Sequence, residues 1–271
     1  MELLFTGERL VPDKFSRTHP LYVEHITRYM FAAPYVKGKK VLDAACGCGY
    51  GAEYLSKSAS EIKGIDISQE AIGYCKEHYG EGSVEYYRMD CCGMDFPDGA
   101  FDVVVAFEFI EHIAEQASFL NEVARVLAKG GTFIVSTPNK TRYLEVDNPY
   151  HVSNMDVNEF EKVLGSNFGQ VKIYGQKPTP MALIRKKLVF IQAELEDVKS
   201  KLDNLPLYLI KKLVPGKVKD TMKKAMNGDP SKNGTGGPLV LSDVYPMAAE
   251  EIEISDERLE ESDYLVGVCR K

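Results

Sequence analysis

No stretch of about 18 consecutive apolar residues occurs in this sequence, so no segment is expected to span a membrane. A basic surplus is missing too. The 33 Lys and Arg stand against 40 Asp and Glu, and the resulting net charge of -7 argues against general nucleic-acid binding. The six cysteines (46, 48, 75, 91, 92 and 269) include no C-x2–4-C pair of the zinc-ligating kind. Adjacent Cys91 and Cys92 also suit an intrachain disulfide framework poorly, so reduced thiols and a cytoplasmic setting are expected. Residues 1–10 carry Glu2, Glu8 and Arg9 where a secretory leader would be apolar, and they are read as mature sequence.

What is present is alternation. Lys39–Asp43, Glu61–Asp66, Val84–Tyr87, Phe101–Phe107 and Gly131–Thr137 are rich in Val, Ile and Phe and are expected as strands. Ala52–Lys57, Gln69–Tyr79 and Glu115–Leu127 between them carry helical periodicity; in the last, Lys129-Gly130-Gly131 supplies the stop. A helix over His19–Ala33 precedes the first strand. A loop over 138–154, a helix over Asp156–Leu164 and strands over Val171–Tyr174 and Tyr264–Cys269 follow the fifth. This order implies an α/β fold, a doubly wound and mostly parallel sheet of seven strands.

The expected organisation is an N-terminal helical lid (1–37), a core (38–176 and 263–271) and a helical insertion between strands six and seven (177–262). Over 181–226 the insertion holds 11 Lys and Arg against 5 Asp and Glu, with Leu183, Ile184, Leu188, Ile191, Leu195 and Val198 at three- and four-residue steps. Such an amphipathic basic segment suits packing on the core or on a partner subunit, as in a homo-oligomer. It also suits peripheral contact with anionic lipid at the inner face of a membrane. The glycine- and proline-rich stretch 227–238 is too broken for regular structure.

The most informative segment is Asp43-Ala44-Ala45-Cys46-Gly47-Cys48-Gly49-Tyr50-Gly51, a glycine-dense turn between an apolar run and a helix. Such a turn lets backbone approach a ligand closely. Gly47-x-Gly49-x-x-Ala52, with Asp66 at the next strand end, fits a dinucleotide or S-adenosylmethionine, whereas no Gly-Lys-Ser/Thr ends the turn as a P-loop requires. Asp43 discriminates. A carboxylate at the strand terminus would repel a pyrophosphate, but it suits a ligand that carries an ammonium and a sulfonium.

Val41 to Gly49 resembles the first motif of class I S-adenosylmethionine-dependent methyltransferases, with Ala45 in place of a common glycine. Gly64-Ile65-Asp66-Ile67-Ser68 resembles the second motif and Met89-Asp90-Cys91 the third. Phe101 to Val105 with Glu108 and His112 resembles the fourth strand and its loop, and Arg125 to Gly131 the turn before strand five. The resemblance covers residues 41–137. It implies S-adenosylmethionine as cofactor, Asp66 on the ribose hydroxyls, Asp90 at the adenine, and a binding set completed by Asp43, Ala45, Cys46, Gly47, Gly49, Ile67, Cys91, Phe107 and Glu108.

Thr6 to Pro12, Glu24 to Tyr29 and Asn148-Pro149-Tyr150-His151 resemble methyltransferases found with bacterial and archaeal glycan-assembly enzymes. That suggests a hydroxyl of a sugar or sugar-linked molecule as acceptor. His112, beyond strand four, and His151, beyond strand five, are the candidate general bases. His25, on a helix face with Tyr22 and Tyr29, belongs to the expected lid. No metal is expected, because no Asp-Asp or His-Asp cluster follows strand four. A quinone or other lipophilic acceptor, a non-catalytic cofactor-binding scaffold and a nicotinamide-dependent oxidoreductase are the alternatives.

Overall fold

The computed structural model describes residues 10–80, 82–142, 150–180, 182–183 and 248–271. The helices expected over 181–226 lie outside them, except for 182–183, and so does the stretch 227–238.

Helix α1, Pro20–Val36, starts on a proline whose missing N–H costs nothing at that position, and the His19 ring caps it by accepting from the Leu21 N–H. It runs one turn beyond the expected end at Ala33. Pro34 falls where only one backbone bond is lost, and fully buried Val36 anchors the last turn. Five strands and four helices then follow, alternating except that β3 leads directly to β4: β1 (Lys40–Ala44), α2 (Tyr50–Ser56), β2 (Glu61–Asp66), α3 (Gln69–Tyr79), β3 (Val84–Arg88), β4 (Phe101–Phe107), α4 (Gln116–Val126), β5 (Leu127–Pro138) and α5 (Val157–Gly165). The Ser68 hydroxyl caps α3, and Asp156 with Glu159 forms a reciprocal capping box on α5. Strands β6 (Gln170–Pro178), β7 (Ile252–Ser255) and β8 (Tyr264–Arg270) complete the sheet.

The strand order is β3-β2-β1-β4-β5-β8-β6-β7. The pairs from β3 through β5 are parallel, and those from β5 through β7 are antiparallel. The doubly wound, mostly parallel sheet is as expected; its strand count is not. Among the described residues the sheet has eight strands rather than seven, because Ile252–Ser255, within the segment read as helical insertion, pairs with Gly175–Pro178. Four residues on one sheet edge are too short to announce themselves by alternation, and Pro178 is tolerated at the strand end that pairs there.

Strand alternation divides the core. Val41, Val103, Val105, Ile134 and Val266 face α1, α2 and α3, whereas Leu42, Ala44, Val104, Phe133 and Val135 face α4 and α5. The chain reverses its winding between β1 and β4, so the carboxyl ends of those strands open a crevice where open α/β sheets bind ligands. Among the described residues no helix is long and apolar enough to cross a membrane.

Candidate active site

A cleft of about 480 Å³ occupies that crevice. One wall is the turn after β1, where Ala45, Gly47 and Gly49 all take left-handed backbone (φ +58, +55 and +77). At Ala45 this conformation costs about 1–2 kcal/mol that glycine would avoid, a strain invisible in the sequence, where the change adds a single methyl. At Gly49 the need is also steric, since a Cβ would sit 2.8 Å from the Cys75 sulfur and 3.0 Å from the Tyr86 ring.

Asp66, at the end of β2, spans two turns. Its Oδ2 accepts from the Gly47 N–H (3.0 Å) and its Oδ1 from the Ser68 N–H (2.8 Å). The carboxylate therefore shapes the glycine turn as well as facing the cleft. Asp90 is held by its own turn, Oδ1 accepting from the Cys92 N–H at 2.8 Å.

Of the sequence-predicted residues, Ala45, Cys46, Gly47, Asp66, Ile67, Asp90, Cys91, Phe107, Glu108 and His112 line the cleft. Asp43 and Gly49 do not. Asp43 shares the β1 face of Val41, under α1 and α2, is fully buried, and reaches the cleft only through Tyr29, whose hydroxyl lies 3.3 and 3.4 Å from its two oxygens. Burial pushes its carboxyl up to about 8; the Tyr29 hydrogen bond opposes this, and the nearby Asp66 charge adds to it.

The native state therefore keeps a proton that the unfolded chain releases above about pH 4. This group favours folding fully at low pH, and that contribution is lost as pH rises from about 4 towards 8. Asp43→Asn is accordingly expected to stand level with the parent chain in thermal unfolding at pH 4 and to exceed it at pH 8 by on the order of 3–5 kcal/mol. A stability gap that does not widen between those pH values would disprove a buried, neutral Asp43.

The far end of the cleft is built after β4. Glu108, at φ +53, is locked by Ser136, whose hydroxyl donates to Glu108 Oε1 (2.6 Å) and accepts from the Glu108 N–H (3.1 Å). Arg28, fully buried on α1, lies 3.9 Å from the same carboxylate, donates to Gln176 Oε1 at 2.8 Å and stacks over the Tyr264 ring. A 3-10 turn at Ile110–His112 follows. The backbone carbonyl of Glu111 accepts from the Val152 and Ser153 N–H groups (2.9 and 3.1 Å), which brings the loop after β5 onto this turn. His151 thereby meets His112 edge-to-face, with ring centroids 4.9 Å apart. His112 lines the cleft; His151 stands behind it.

The binding set read from the sequence left out Leu10, Tyr29, Cys48, Tyr50, Phe109, Ile113 and Tyr150, which with His25 complete the lining. His25, assigned only to the lid, lines it as well, with Nδ1 3.0 Å from the Tyr50 hydroxyl. The helical spacing of Tyr22, His25 and Tyr29 was the available signal for the lid residues. Outside the glycine turn, nothing local marked the others.

The residues fit S-adenosylmethionine on their own chemistry. Two carboxylates at successive strand ends suit hydroxyl and amino donors, and Ile67, 65% exposed at the cleft, offers an apolar surface that water serves poorly. A family model described as a methyltransferase domain matches residues 42–135. A probable S-adenosylmethionine-dependent methyltransferase of Mycobacterium tuberculosis is 33% identical over 166 residues, 60% of each chain. A ubiquinone biosynthesis O-methyltransferase of Methylococcus capsulatus is 32% identical over 126 residues, 45% of this chain and 52% of that one. The chain thus spans little more than half the length of these curated relatives. A crystal structure of an S-adenosylmethionine-dependent methyltransferase from Mesorhizobium loti superposes with a TM-score of 0.51 over 90% of this chain and 95% of its own, at 13% identity, a likeness of fold. Residues 42–135 therefore match a methyltransferase domain, and the chain shares its Rossmann-like fold with a known S-adenosylmethionine-dependent methyltransferase.

Proposed function

We propose that the chain transfers a methyl group from S-adenosylmethionine to a hydroxyl oxygen of a small-molecule or glycan acceptor. One observation carries the reading: a single cleft joins the strand-end carboxylates Asp66 and Asp90 to His112. Bound there, S-adenosylmethionine supplies a methyl group already activated by its sulfonium. What the protein must add is alignment, exclusion of water and removal of the hydroxyl proton.

Asp66 would hold the ribose hydroxyls, since a carboxylate accepts up to about four hydrogen bonds and can serve both backbone and ligand. Asp90 and Ile67 would receive the adenine. Tyr29, Tyr50 and His25, on or against α1, would close the cleft, and the Arg28–Glu108–Ser136 network would fix its floor. His112, with His151 behind it, takes the proton. Incubating the chain with isotopically labelled S-adenosylmethionine and extract fractions from source cells lacking its gene should label one product; no labelled product in any fraction would overturn the reading.

The resemblance to glycan-associated methyltransferases favours a sugar hydroxyl. A lipophilic acceptor such as a quinone is the second reading, favoured by the ubiquinone-biosynthesis relative and by Phe109 and Ile113 beside His112. The chemical class of the labelled product decides between them.

A further inference from the structure

Glu111, buried beside His112 at the far end of the cleft, is left unused by the methyl-transfer reading. Its carboxylate is 1% exposed and neither oxygen makes a close hydrogen bond, with the Thr137 hydroxyl and the Arg28 charge as its nearby support. A buried carboxylate left in that state is costly unless something positive or hydrogen-bonding meets it. Two imidazoles stand beside it: His112 Nε2 is 3.9 Å from Glu111 Oε1, and one donor atom each from Glu111, His112 and His151 lies within 4.8 Å of the other two.

The outer contacts of the two rings agree with one another. His112 Nδ1 lies 3.1 Å from the Tyr150 carbonyl oxygen, which can only accept, so that nitrogen carries the proton and the lone pair is at Nε2. His151 Nδ1 is likewise engaged, 3.3 Å from Asn154 Oδ1. Histidines that ligate metals are oriented in this way, donating one ring N–H to an oxygen and presenting the other nitrogen to the ion. Glu108, which lines the cleft, lies close enough for its charge to act on Glu111.

We propose that Glu111, His112 and His151 form a binding site for one divalent first-row transition-metal ion at the acceptor end of the cleft. Two imidazoles and one carboxylate suit such ions. Bond lengths of about 2.0–2.2 Å require donors roughly 3–4 Å apart, so a contraction on the order of 1 Å by side-chain rotation completes the set. Three protein ligands leave coordination positions open towards the cleft. The inference rests on the methyl-transfer reading and gives the two histidines a different part in it. The ion holds the acceptor hydroxyl and lowers its pKa; the proton leaves to water, and the oxygen attacks as its bond to the methyl forms and the methyl–sulfur bond breaks. This runs against the sequence expectation of no metal, which looked for ligands after β4 alone.

The test uses tag-free full-length chain, stripped with a chelator and titrated with Co²⁺ alone, followed by calorimetry and by the visible spectrum of the ion. One Co²⁺ per chain with a histidine-ligated absorption band is expected. Glu111→Gln and His151→Ala should each weaken Co²⁺ binding more than about tenfold. S-adenosylmethionine affinity, measured on the same samples, should stay within about twofold in both variants, which shows that they are folded. No saturable Co²⁺ binding, or equal binding in the variants, would overturn the metal site. Cofactor binding and methyl transfer that persist in chelator, without Co²⁺ binding, would leave an imidazole base in charge. Loss of cofactor binding in the parent chain would instead bring down the methyl-transfer reading itself.

Discussion

Asp66→Ala is expected to weaken S-adenosylmethionine binding by about a hundredfold or more, the largest single effect anticipated for the cofactor end of the cleft. Two charge-assisted hydrogen bonds to ribose hydroxyls, each contributing about 1.5–3 kcal/mol, account for a loss of that size. A second effect runs with it. Asp66 accepts from the Gly47 and Ser68 N–H groups, so its removal also leaves one backbone donor in the glycine turn and one in the turn after β2 without their acceptor. The alanine variant should therefore unfold at lower temperature. Asp66→Asn separates the two roles, because its carbonyl oxygen can keep one backbone bond while its amide group opposes a hydroxyl donor. Calorimetry with S-adenosylmethionine should show the asparagine variant folded and still weakly binding. Unchanged affinity in Asp66→Ala would overturn the placement of the cofactor at this strand end.

His112→Ala should lower the rate of methyl transfer by about 10²–10⁴-fold, the usual contribution of a positioned proton acceptor, while cofactor affinity is unchanged. The expectation follows from place: His112 lines the cleft beyond the strand-end carboxylates, its ring fixed by the Tyr150 carbonyl. It is measured with the acceptor identified by labelling, as kcat at saturating cofactor. His151→Ala should act in the same direction through His112 or through a shared ion. Full turnover in both variants would mean that alignment alone carries the reaction.

Much of this architecture could be read from local sequence. Runs such as Phe101–Phe107, and the Gln69–Tyr79 helix between β2 and β3, declare themselves because strand and helix periodicities act over a few residues. The glycine turn and the acidic residues at the next two strand ends were legible for the same reason. Asp43 was harder. Its charge suggested a ligand, but its register on β1 places it under α1 and α2, where burial outweighs charge and keeps it protonated. Edge strand β7 was missed because its four residues gain their order from pairing with β6, not from their own pattern.

The sequence by itself determined the doubly wound α/β fold, the glycine turn and the carboxylates Asp66 and Asp90, since each follows from short-range backbone preference and strand-end chemistry. Only the tertiary structure decided what stands at the other end of the cleft. Arg28 meets Glu108, and His151 meets Glu111 and His112, because α1 and the loop after β5 fold back over the end of β4. Such meetings join residues far apart in the chain, and a contact that arises from packing leaves no spacing in the sequence from which to read it.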